Sequence, residues 1–198
     1  MGTEVINLDL GLTKLSQHPS AELVMRQLVY YHGAVNMEGI RSLETFLTKA
    51  AIKHNPPELT LCLCSGGGDV CAGIGAYNFI RMLPVPVTLF NFGMCGSIAA
   101  TIFLVGTKRV AAPTSVFALH AATYAEGERK GQISENTQLI CQPFKEILSW
   151  DPEQIEKYFG TTAEQFLTPK QAVERSIANV IEDIKISPED EVVHVAVP

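Results

Sequence analysis

The chain has 198 residues, of which 46% are hydrophobic and 18% charged, a profile that predicts one compact soluble domain over residues 1–198 with a sizeable core. The formal net charge of −6 excludes phosphate-backbone binding as the main task, because that needs clustered Lys and Arg to displace counterions. There is no basic segment leading into an apolar run at the N-terminus and no apolar stretch of the roughly 20 residues that cross a bilayer, so we expect no nucleic acid, no membrane and a cytoplasmic location.

In chain order, the apolar run Leu28 to Tyr31 ends at Gly33 and predicts a strand. From Met37 the residues Ile40, Leu43, Phe46, Leu47, Ala50 and Ala51 recur at helical spacing, and Asn55-Pro56-Pro57 stops that helix. Leu59 to Cys64 then predicts a buried strand running into Ser65-Gly66-Gly67-Gly68-Asp69, followed by a helix over Val70 to Met82. The pair Pro84 and Pro86 separates it from a strand over Val87 to Phe92, which enters Gly93-Met94-Cys95-Gly96 ahead of a very apolar helix, Ser97 to Leu104. Such alternation implies an α/β fold with parallel strands, right-handed crossovers and ligand sites at the carboxyl ends of the strands.

Short strands are expected at Arg109 to Ala112 and Val116 to Leu119, and a long helix from about Gln132 to Leu148. Thr168-Pro169-Lys170-Gln171 has the form of a helix start, with Thr168 as N-cap and Gln171 completing a capping box. Ser187 to Glu191 is acidic and predicts a surface tail over 187–198. Five cysteines in a chain of this size suit reduced thiols better than a disulfide framework. Cys62 and Cys64 would share one face of their strand, and no metal-type repeat of spacings accompanies them.

Gly93 through Ala100 puts Ser97 on a strand-to-helix turn among small residues, which exposes its hydroxyl and sets it where main-chain N–H groups favour an oxyanion. By itself a serine there is more often an ordinary N-cap. Gly66-Gly67-Gly68 adds uncovered main chain that can supply a second oxyanion donor; its spacing does not match a dinucleotide or P-loop fingerprint, so no cofactor is expected. His120 closes the strand Val116 to Leu119, and neutral imidazole is the base that a weak nucleophile such as serine needs.

Taken together, Ser65-Gly66-Gly67-Gly68, the Gly93 to Ala99 elbow, Phe117-Ala118-Leu119-His120 and Gln165-Phe166-Leu167-Thr168-Pro169 with Ala172 resemble the proteolytic subunit of the Clp protease, within the Clp–crotonase superfamily. The resemblance runs from about Leu59 to Ile181 and implies a Clp–crotonase-like fold with a handle-like helix near 123–150. It also implies a serine endopeptidase in which Ser97 is the nucleophile, His120 the base, and Gly68 and Ile98 the oxyanion donors. The family's third residue, an aspartate, falls on Glu164 here. The resemblance further implies a ring-shaped homo-oligomer acting on peptide or unfolded protein, and an ATPase unfoldase as partner.

Several positions depart from the family. Ala121-Ala122 replaces a Gln-Pro pair, the stretch from His120 to Glu164 is short, Thr60 and Cys62 stand where the family docks its ATPase through aromatic residues, and the segment 1–27 is divergent. Two other functions compete. Val70-Cys71-Ala72-Gly73 is similar to a stretch of crotonase-type acyl-CoA enzymes, and the substituted third residue suits an inactive subunit of a mixed complex.

Overall fold

A computed structural model of the chain describes residues 26–195, so the divergent segment falls outside the described residues except for Arg26 and Gln27. An eight-stranded sheet forms the centre. The chain enters through β1 (Gln27–His32), α1 (Met37–Lys49) with a π-helical turn Ala50–His54, β2 (Leu59–Ser65), α2 (Val70–Arg81), β3 (Val87–Gly96) and α3 (Ile98–Phe103). It continues through β4 (Lys108–Ala111), β5 (Val116–Leu119), α4 (Thr137–Leu148), α5 (Pro152–Phe159), β6 (Gln165–Leu167), α6 (Pro169–Glu174), β7 (Val180–Ile181) and β8 (Glu191–Val195). The spatial order is β6-β5-β3-β2-β1-β8, with β4 beside β3 and β7 beside β4, and only the β5–β6 pair is antiparallel among the described strands.

Alternation along the strands sorts two faces. Val29, Tyr31, Leu61, Leu63 and Leu89 enter the main core with Ile40, Leu43 and Leu47 of α1 and Ile98, Ile102 and Phe103 of α3. Cys62, Phe90 and Val110 gather on the opposite face with Tyr30, Phe92 and Ile184. The expected α/β architecture and the helices at 37, 70, 98 and 169 are present. Each of three helices starts on a side-chain cap: Asn36 for α1, Asp69 for α2 and Thr168, with its Gln171 box, for α6.

Four features differ from expectation. β3 continues through Gly96, because it changes partner: residues 88–91 pair with β4 and 94–96 with β5. At the changeover Asn91 donates to the Val116 carbonyl and accepts from the Gly93 N–H, making the bend. The helix expected from Gln132 begins at Thr137. Residues 123–133 form bridged loop structure instead, and the Ser134 hydroxyl accepts from the Asn136 N–H, a local bond that competes with helix. Helix α5 is an addition to the expected elements, and Asp151, Pro152 and Gln154 supply its capping box. Finally, the tail expected at 187–198 is a correction: Glu191–Val195 is a strand paired in parallel with β1, where Val195 reaches the core. The period-two pattern of Val193 and Val195 buries apolar surface that the acidic run before it does not announce.

Candidate functional site

The site lies at the carboxyl ends of β2, β3 and β5. Gly96 is opposite Ala118 in the β3–β5 ladder, and one residue later the Ser97 N–H donates to the Ala118 carbonyl at 2.7 Å. This bond holds Ser97 and the end of β5 together, two residues before His120. Ser97 is 7% exposed, and its main chain adopts φ 51° and ψ −128°. A non-glycine residue held there costs about 1–3 kcal/mol and persists because its surroundings over-determine it. Although it opens α3, Ser97 does not cap the helix with its side chain, so the ordinary structural role of such a serine is not the one it performs.

The glycine turn packs directly on it. A β-carbon on Gly67, whose φ is +104°, would stand 2.6 Å from Ser97 Cβ and 3.3 Å from its Oγ. Gly68 has φ +147° and forms a parallel bridge with Val35. The bridge consists of Val35 N–H to the Gly67 carbonyl and Asp69 N–H to the Val35 carbonyl, each 2.8 Å. In such a bridge the central residue turns its own N–H to the other edge, here the edge towards β3 and Ser97. The Ile98 N–H is the first of α3 and lies immediately after the serine.

His120 is half-buried, and its Nδ1 lies 2.7 Å from the carbonyl oxygen of Ala121. A carbonyl only accepts, so Nδ1 carries the proton in this pairing and Nε2 keeps a free lone pair. Glu164 lies next to the last paired position of the antiparallel β5–β6 ladder, where Leu119, the residue before His120, pairs with Gln165. Its side chain is nevertheless exposed and makes no hydrogen bond or ion pair with the described residues. The Ala121 carbonyl, a main-chain group that residue types do not reveal, occupies the position expected for that carboxylate.

Cys95, next to Gly96, is fully buried, and burial pushes its thiol well above its ordinary value, which removes it as a competing nucleophile. The cysteines among the described residues are free thiols. Among the described residues no three His, Cys, Asp or Glu side chains gather to hold a metal, and no helix is long and apolar enough to cross a membrane.

Comparisons with known proteins converge on one family. The family described as Clp protease matches residues 13–184. An ATP-dependent Clp protease proteolytic subunit of Pleurastrum terricola is 30% identical over 115 residues, which span 57% of this chain and 57% of that relative. The subunit of the same description from Ligilactobacillus salivarius is 25% identical over 173 residues, covering 81% of this chain and 85% of its own. Among solved structures, a ClpP1 mutant from Listeria monocytogenes superposes with a TM-score of 0.68 at 22% identity, over 80% of this chain and 92% of that one.

Proposed function

This chain belongs to the Clp protease family, and we propose that it is a serine endopeptidase that hydrolyses peptide bonds with Ser97 as nucleophile and His120 as general base. The observation that carries the proposal is an uncapped, buried serine at φ 51° whose N–H is bonded to the Ala118 carbonyl, two residues before a histidine that has Nδ1 on the Ala121 carbonyl. In this mechanism Nε2 takes the Ser97 proton as Oγ attacks the scissile carbonyl, and later returns it to the leaving amine. The N–H groups of Gly68 and Ile98 receive the oxyanion, and water then releases the acyl group from Ser97. Glu164 stabilises the imidazolium from across the β5–β6 ladder once its side chain turns towards His120.

A ring-shaped homo-oligomer in which the sites face a shared chamber belongs to the same proposal, with peptides or unfolded chains as substrate and the cytoplasm as location. It is supported by apolar side chains left in water: Ile133, Leu139 and Ile147 in the segment 123–150, and Phe166 at 58% exposure on β6. Docking of an ATPase unfoldase has weaker support, since Thr60 and Cys62 are both buried and present little apolar surface.

A second reading, a subunit inactive until a partner completes it, is favoured by the exposure of Glu164. One experiment separates the two. A fluorophosphonate probe should label the purified chain but not Ser97→Ala, and the untreated chain should hydrolyse a fluorogenic peptide that the labelled chain no longer cleaves. Absence of labelling until a second subunit is added would establish the partner-dependent form. Acyl-CoA binding without labelling would establish crotonase-type chemistry.

A further inference from the structure

Within the glycine turn the buried Ser65 hydroxyl accepts from the Gly67 N–H at 3.1 Å and reaches the Gly67 carbonyl at 3.5 Å, but no side chain of the turn bonds to Gly68 itself. Glycines at φ +104° and +147° are free to adopt many other conformations, and a peptide that rotates carries its donor away from Ser97. A second restraint comes from the segment between β1 and α1. Val35, 1% exposed, makes both bonds of the bridge, and its carbonyl approaches so closely that a β-carbon on Gly68 would stand 2.2 Å from it.

The segment is fixed in turn. The Gly33 N–H donates to the Cys64 carbonyl at 3.1 Å, and the Asn36 side chain accepts from the Gly39 N–H at 2.8 Å. Between them the hydroxyl of Tyr31, a fully buried side chain, donates to the Ala34 carbonyl at 2.8 Å. On the far side of the turn, the Asp69 carboxylate accepts from the Ala72 N–H at 2.6 Å and ties the turn to α2. The Gly68 peptide is thus gripped on both sides, and the last side-chain link on the β1 side is one phenolic hydroxyl.

Resting on the peptidase reading, we infer that Tyr31 and Val35 are positioning residues for the oxyanion donor: Tyr31 holds the Ala34 carbonyl, and Val35 holds the Gly67 and Asp69 main chain so that the Gly68 N–H stays aimed beside Ser97. A purely structural tyrosine is replaceable by phenylalanine, which fills the same core volume. The hydroxyl matters here because without it the carbonyl of Ala34, an exposed residue, passes to water and the turn that presents Val35 is free to shift. A misplaced oxyanion donor weakens the transition state and leaves substrate binding almost untouched.

The test compares the full chain with Tyr31→Phe, Val35→Pro and, as a control, Tyr30→Phe, whose ring lies on the opposite face of β1. Proline removes the N–H that Val35 donates to Gly67. Loss of one oxyanion donor costs about 10²-fold in kcat, so Val35→Pro should approach that loss and Tyr31→Phe should show about tenfold. In Tyr31→Phe the KM for a fluorogenic peptide and the Tm should remain near those of the unmodified chain. The affinity for a peptide boronate, which forms a tetrahedral adduct on serine, should fall by the same factor as kcat. Tyr30→Phe should match the unmodified chain in all of these. Unchanged kcat and boronate affinity in Tyr31→Phe would overturn the positioning inference even if Val35→Pro fails to fold. An unmodified chain that neither turns over peptide nor binds boronate would instead sink the peptidase reading on which the inference rests.

Discussion

The serine half and the carboxylate half of the site are built by different means. Ser97 follows a ten-residue strand in the sheet interior, tied by its own N–H to Ala118 and packed against Gly67. Glu164 precedes a three-residue strand at the sheet edge, and its side chain stands in solvent. Main-chain ladders hold groups without spending side-chain rotamer freedom, whereas an exposed carboxylate must overcome both its own entropy and hydration to reach a partner. The half made of backbone is therefore held by main-chain bonds, and the half made of one surface side chain is open.

The most severe test of this contrast removes the interior half. Ser97→Ala and His120→Ala should each lower kcat by about 10⁴-fold or more, and the double variant should lose hardly more than either single one, because the pair acts as a unit. Additive losses in steady-state peptide hydrolysis would break the comparison. A smaller loss should follow Gly68→Ala, whose β-carbon would meet the Val35 carbonyl at 2.2 Å at φ +147°. We expect kcat about 10²-fold lower together with a reduced Tm, measured by peptide hydrolysis and thermal unfolding.

Glu164→Gln sharpens the comparison from the exposed side. Its loss should be about tenfold, well below the roughly 10⁴-fold that follows neutralising a buried triad carboxylate, and the fold should be retained by circular dichroism. Wild-type turnover in this variant would mean that the Ala121 carbonyl alone orients His120 and that Ser97 and His120 work as a dyad.

The smallest effect is expected far from the site, where the C-terminal strand is fastened to β1. Arg26 donates from Nε to one Asp190 oxygen at 3.0 Å and approaches the other at 2.5 Å, and this bonding holds the Asp190 carboxyl below its ordinary value. A lowered carboxyl pKa contributes stability that is fully present above the unfolded value, about pH 4, and is lost as the pH falls through the folded value. Asp190→Asn should therefore lower Tm slightly at pH 7, with the difference from the unmodified chain closing on acidification below about pH 4. Equal Tm at both pH values would show that the β1–β8 ladder holds the strand without the ion pair.

Much of this arrangement is legible in the sequence, and the illegible parts share a cause. Periodic apolar residues mark α1, α2 and the parallel strands, because burial on one face imposes a period that the sequence records. The end of β3 and the start of α4 escape such a reading because Asn91 and Ser134 act there through hydrogen bonds to main chain that the apolar pattern does not register. The strand β8 escapes it because Glu191 finds its partner 164 residues away at Gln27.

By itself the sequence determined the residue types at the site: a serine on a glycine elbow, a histidine closing a strand, a glycine-rich turn and a carboxylate ahead of Gln165-Phe166-Leu167. These are legible because glycine, histidine and serine are demanded locally by backbone conformation and proton chemistry. Only the tertiary structure decided that the Ala121 carbonyl, and not Glu164, meets Nδ1 of His120, and that Val35 grips the glycine turn at Gly67 and Asp69. Those contacts are made by main-chain N–H and carbonyl groups, which nearly every residue carries alike, so no choice of side chain can announce them.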